Sequence, residues 1–147
     1  MSGRIVVGVD DSEGARSALR WAIDHAAAFN AKIEVVHAFD FRPAWIDYDG
    51  DREALHQWRD RLAADATTRV HEVVTDVAGS SGANITEVVS SDPPTKTLLA
   101  RAVGADLLVV GSRGRGHMTG FVLGSVSRRC TEHAPCPVVV VPATCEH

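Results

Sequence analysis

Five short apolar runs rich in β-branched residues punctuate the chain: RIVVGVD (4–10), KIEVVHAFD (32–40), NITEVV (84–89), ADLLVVG (105–111) and PVVVV (137–141). Those at 5–9, 107–110 and 138–141 are almost continuously apolar, as expected of strands covered by helices on both faces. Alternation would have marked a sheet with one face in water. A parallel sheet follows.

The intervals carry helical spacing. Ser12 can cap a helix bearing Ala15, Ala18, Leu19, Ala22, Ile23 and Ala26 on one stripe, with Glu13 in its first turn and Asn30 as a left-handed terminator. Leu55, Trp58, Leu62, Ala66, Val70, Val73 and Val77 recur every three or four residues, predicting a second helix with one buried stripe that stops at GSSG (79–82). DPPTKTLLARAVGA opens with prolines suited to a helix start and is expected to end at Gly104. A last short helix is expected from Ser125 to His133, because Pro135 and Pro137 forbid its continuation. The order is βαβαβαβαβ, a doubly wound α/β domain with right-handed crossovers and strand order 3-2-1-4-5. The irregular stretch FRPAWIDYDGDR (41–52) reads as a solvated turn, or as a flap over the sheet end.

A chain of 147 residues, 45% hydrophobic, has material for one core without disulfides or a structural metal, so a single domain over 1–147 is expected. The net charge of −4, with signs interspersed, gives no general reason to bind nucleic acid or an anionic membrane. No apolar run reaches the roughly 20 residues of a membrane span, and MSGRIVVGVDD lacks signal-peptide regions, so a cytosolic location is expected. Cys130, Cys136 and Cys145 are read as reduced thiols. Zinc binding by Cys130, His133 and Cys136 is the weaker alternative, for no CxxC spacing is present.

In an open parallel sheet a ligand sits beyond the carboxyl ends of the strands where their order reverses, here between the first and fourth. The first ends in VGVDDS (7–12) and the fourth in GSRGRGHMTGFVLGS (111–125). Glycine lets backbone N–H groups approach an anion, and Gly124-Ser125 opens a helix with its free N–H groups and positive dipole end. Ser125 and Ser127 can add hydroxyl donors, and Arg113 or Arg115 can neutralise oxygens. A mobile surface loop is the plain alternative. Neither a P-loop GxxxxGK[ST] nor a Rossmann GxGxxG after the first strand is present.

The spacing Gly111-x2-Gly114-x9-Gly124-Ser125, between an apolar strand and a short helix followed by CPVVVVP, resembles the ATP-binding class of universal stress proteins. IVVGVDDSEGARSALRWA, VVHAFD and APCPVVVVP extend the resemblance over essentially the whole chain. It implies that Asp10, with Gly8 and Val9, meets the ribose and adenine end, and that the backbone of Ala38 meets the adenine edge. Val110 would pack near the base and Gly111 and Gly114 would cradle the phosphates. Gly124, Ser125, Val126 and Ser127 would close the phosphate site, with Arg113 at its rim. ATP, with Mg2+ as a companion of the triphosphate, is the implied ligand; a cyclic nucleotide on the same site and a nucleotide-independent dimeric interaction protein are the alternatives. Ser91 in SSDPP departs from the family, which often has glycine before the Asp-Pro pair.

A carboxylate at a strand end can also serve the following helix; Asp11 is the more obvious candidate for that local task, and Asp10 is favoured as the ligand contact. A phosphoacceptor receiver domain shares this topology, and Asp92 follows the third strand. It would need a lysine after the last strand, where PATCEH has none. Asp10, Asp11 and His117 make no recognisable hydrolytic arrangement, so binding with at most slow hydrolysis is expected. The apolar run 137–141 is expected at the sheet edge, where pairing with a second copy would cover it; the resemblance implies the same homodimer.

Overall fold

The computed structural model describes residues 3–10, 12–42, 52–112 and 123–143. Strands β1 (Gly3–Gly8), β2 (Ala31–Ala38), β3 (Ile85–Ser90), β4 (Leu107–Gly111) and β5 (Val138–Val141) form one parallel sheet of order β3-β2-β1-β4-β5. Helices α1 (Glu13–Ala26), α2 (Arg52–Ala78), α3 (Pro94–Arg101) and α4 (Ser125–His133) connect them. All five expected strands form, with ends shifted by at most two residues. In register, Val7 stands beside Val35 on one side and Val109 on the other.

The apolar runs are continuous because both sheet faces are covered. Ile5, Val7, Ile33, Val35 and Val109 pack with Ala18, Leu19 and Ala22 of α1 and Val70, Val73 and Val74 of α2. Val6, Val36, Leu108 and Val110 pack with Leu98 of α3 and Cys130 of α4. Each buried Val, Leu or Ile side chain contributes about 1.5–3 kcal/mol of burial against the entropy of ordering the chain.

Local chemistry sets the helix ends. Ser12 Oγ accepts the Ala15 N–H at 3.1 Å, and Asn30 takes a left-handed φ of 47° after a short 3-10 turn (Ala27–Phe29). Pro93 and Pro94 start α3 as expected, but the helix stops at Arg101 instead of reaching Gly104. Its end is sealed from outside: Arg4 of β1 donates to the Arg101 carbonyl at 2.7 Å and the Val103 carbonyl at 2.8 Å, a cation on the negative dipole end. Gly104 then turns the chain with φ 79°.

The expected stripe of α2 is only half buried. Ala66, Val70, Val73 and Val74 are enclosed, whereas Leu55, Trp58 and Leu62 are partly exposed. A helix of 27 residues is about 40 Å long, while the six residues of β3 span about 20 Å, so the first turns of α2 overhang the sheet. Trp58 there meets Phe41 edge to face at 5.3 Å. The rest of the turn or flap expected at 41–52 lies, from 43 to 51, outside the described residues. No helix among the described residues is long and apolar enough to cross a membrane.

Candidate functional site

Strand order brings the carboxyl ends of β1 and β4 side by side, so the two segments singled out in the sequence start from neighbouring strand ends. Past β1, the Val9 N–H donates to the Val36 carbonyl at 2.9 Å, and the Val9 carbonyl pairs with His37 Nδ1 at 2.9 Å. Asp10 follows, half-buried, its Oδ1 accepting the Ser12 N–H at 2.8 Å. Ser12 in turn caps α1. The local task expected of Asp11 is thus performed through one oxygen of Asp10; Asp11 itself lies outside the described residues.

Ala38 is placed by alternation. The Val36 carbonyl faces β1 and the Phe39 N–H faces β3, where it donates to the Ser90 carbonyl at 2.9 Å. Backbone groups two residues apart share a side, so those of Ala38 face β1 beyond its last ladder residue, Gly8. That is the position expected of a backbone meeting a ligand edge. Gly8 has a packing reason as well, since a β-carbon there would stand 2.8 Å from Leu98 Cδ1.

Around β4 the structure separates the expected residues. Val110 is buried among the residues between the sheet, α3 and α4, so its side chain belongs to the core. Gly111 abuts Gly14 of α1. Ser112, not anticipated from sequence, is a junction: its N–H donates to the Val141 carbonyl at 2.9 Å and its carbonyl accepts the Gly124 N–H at 2.8 Å. Ser127, 3% exposed, directs its hydroxyl at the carbonyls of Ser112 (2.9 Å) and Gly124 (3.0 Å). One hydroxyl hydrogen serves both acceptors, so Ser127 closes the neck of the loop, a different task from the free donor expected. Arg113 and Gly114, with Arg115 and His117, lie outside the described residues.

Among the described residues no side chain caps the start of α4. Its N-cap is Gly124, with no side-chain capping bond, in contrast to Ser12 on α1. Ser125 is exposed and Val126 half-buried. The first N–H groups of a helix lack intrahelical partners, and at this end the dipole favours an anion. The carboxyl end of β1, the backbone of Ala38 and the start of α4 therefore lie at the same end of the sheet, with an acidic group on the β1 side and hydrogen-bond donors on the β4 side.

The thiols belong elsewhere. Cys130 is fully buried in the face between the sheet and α4, and burial, with Cys136 nearby, pushes its pKa up to about 11. Both Cys130 and Cys136 are free. Among the described residues no group of three His, Cys, Asp or Glu side chains is placed to hold a metal. Cys145 and His147 lie outside them.

Comparison with known proteins matches residues 1–142 to the universal stress protein family. A universal stress protein of Mycobacterium tuberculosis is 33% identical over 142 residues, which are 92% of this chain and 44% of that protein; the chain thus spans about half the length of that relative. One from Thermus aquaticus is 31% identical over 139 residues, covering 93% of this chain and 96% of the relative. Among solved structures, UspA from Lactobacillus plantarum superposes with a TM-score of 0.75 at 26% identity, over 95% of this chain and 97% of the other. A universal stress protein in complex with cAMP superposes with a TM-score of 0.70 at 28% identity, over 97% and 98%.

Proposed function

We propose that this chain, which belongs to the universal stress protein family, is a single nucleotide-binding domain that takes an adenine nucleotide in the crevice between Asp10 and the start of α4 and acts in stress signalling. The observation that carries this reading is the uncapped start of α4 at Gly124-Ser125, at the point where the strand order reverses. Backbone N–H groups of Ser125 and Val126, with the Ser125 hydroxyl, would hold phosphate; Gly114 and Arg113 would complete that end. The other oxygen of Asp10 would accept from ribose, as acidic groups do in other nucleotide folds. The adenine edge would meet the backbone of Ala38.

ATP is the nucleotide we assign, bound without efficient turnover. The described residues offer no carboxylate cage for Mg2+: Asp10 already gives one oxygen to Ser12. A divalent ion would enter on the triphosphate itself. The cAMP found in a 28% identical relative supports a second reading, a cyclic nucleotide on the same site. The edge position of β5, four apolar residues in a row, favours a homodimer joined through 137–141.

Mass spectrometry of small molecules released from the purified protein, followed by calorimetric titration with ATP and with cAMP, tests the assignment. Recovery or tight binding of ATP, lost in the double variant Gly124→Val, Ser125→Ala with the fold intact, is expected. Equal affinity in that variant removes the phosphate site from α4. Preference for cAMP selects the second reading, and rapid release of ADP would make the protein a hydrolase.

A further inference from the structure

We propose that His37 is a positioning residue for this crevice, holding the Val9 carbonyl and through it the placement of Asp10. The inference rests on the nucleotide reading above and adds a residue to it. His37 Nδ1 lies 2.9 Å from the Val9 oxygen, across 28 residues of chain. A carbonyl only accepts, so Nδ1 carries the proton and donates. The neutral ring is then the Nδ1–H tautomer, and the bond survives protonation of Nε2.

Position gives this bond its consequence. The β1–β2 ladder ends at the pair Gly8 and Val36, and the Val9 N–H is the last group of that segment held by β2 backbone. The opposite pole of Val9 is held by a side chain instead. Val9 is 7% exposed, and its backbone is thereby fixed at both poles just where the chain leaves the sheet. Asp10 is the next residue, and from it the Asp10–Ser12 and Ser12–Ala15 bonds run on into α1. His37 is therefore the β2 side chain that joins the end of β1 to the acidic end of the crevice. A preorganised carboxylate accepts a ligand hydroxyl without first losing conformational freedom.

His37→Leu removes the donor, and His37→Asn restores one at the same distance from the backbone. The expected result is an ATP affinity about tenfold weaker in His37→Leu and within about threefold of the parent in His37→Asn, with both proteins melting cooperatively. Nitrogen-15 NMR of the parent imidazole, which needs no nucleotide, should find Nδ1 protonated in the neutral ring. An Nε2–H tautomer, or a parent that binds ATP no better than His37→Leu does, overturns the role of His37. A parent that takes no adenine nucleotide overturns the function proposed above, and the tautomer then still tests the His37–Val9 bond by itself.

Discussion

The backbones of Gly111 and Gly14 approach so closely that a β-carbon on Gly111 would stand 2.9 Å from both the carbonyl carbon and the carbonyl oxygen of Gly14. The end of β4 thereby touches the first turn of α1, and no flexible side chain is present to yield. Gly111→Ala must push helix from strand, at about 1–3 kcal/mol by the usual cost of overpacking. Urea denaturation should find a lowered midpoint; an unchanged one would mean the contact relaxes freely. The glycine expected to cradle phosphate thus has a sufficient reason in packing alone.

Glu34, midway along β2, supplies a second test. It is 8% exposed in β2 and accepts from Arg101 Nε at 2.8 Å and Nη2 at 2.7 Å, with Arg4 Nη1 at 3.5 Å. The Arg101 hydrogen bonds hold its carboxyl below its ordinary value of 4.5; burial opposes this, and the charges of Arg101 and Arg4 add to it. Because the folded value is the lower, the contribution to stability is complete above about 4.5 and lost as pH falls through the folded value. Glu34→Gln should cost about 2 kcal/mol at neutral pH and flatten the acid limb of the stability curve. An acid limb identical to that of the parent would reassign it to other carboxylates.

Ser127→Ala separates two roles. If the hydroxyl only closes the neck between Ser112 and Gly124, stability falls by about 1 kcal/mol and nucleotide affinity falls because the neck loosens. A loss of affinity with no loss of stability would show the hydroxyl turning to the ligand.

Cys130 should resist alkylation in the folded protein at pH 8 and react on unfolding, because its thiol is buried and its pKa stands near 11. Its folded pKa is above the ordinary 9.0, so its share of stability is present below about 9 and lost as pH rises through the folded value. Rapid native labelling of Cys130, mapped by peptide mass, would contradict the packing of α4.

The strand order and the start of α4 were legible because period, helix-start glycine and proline stops are local signals. Glu34 was not, since its partners lie 30 and 67 residues away and a single acid early in an apolar strand run resembles an ordinary solvent-facing position. His37 escaped for the same reason. The family resemblance implied that Val110 and Ser127 lie near a ligand, whereas the direction of each side chain depends on sheet register and helix rotation. Only a structure puts Val110 in the core and Ser127 across the neck.

The edge position of β5 allows a test of the proposed homodimer that spares the sheet. The carbonyls of Pro137 and Val141 accept from Leu108 and Ser112 of the β4 segment, so residues 137, 139 and 141 direct their backbone groups inward. Those of Val138 and Val140 face outward. Val140→Pro therefore removes an outward N–H while leaving the β4–β5 bonds in place, and proline is tolerated on an edge strand. Val139→Pro removes an inward one and should weaken the fold itself. Sedimentation should find the parent as a dimer and Val140→Pro as a folded monomer, since a strand deprived of that donor cannot complete a ladder with its copy. A Val140→Pro protein that stays dimeric would move the interface away from β5, and a monomeric parent would remove it altogether.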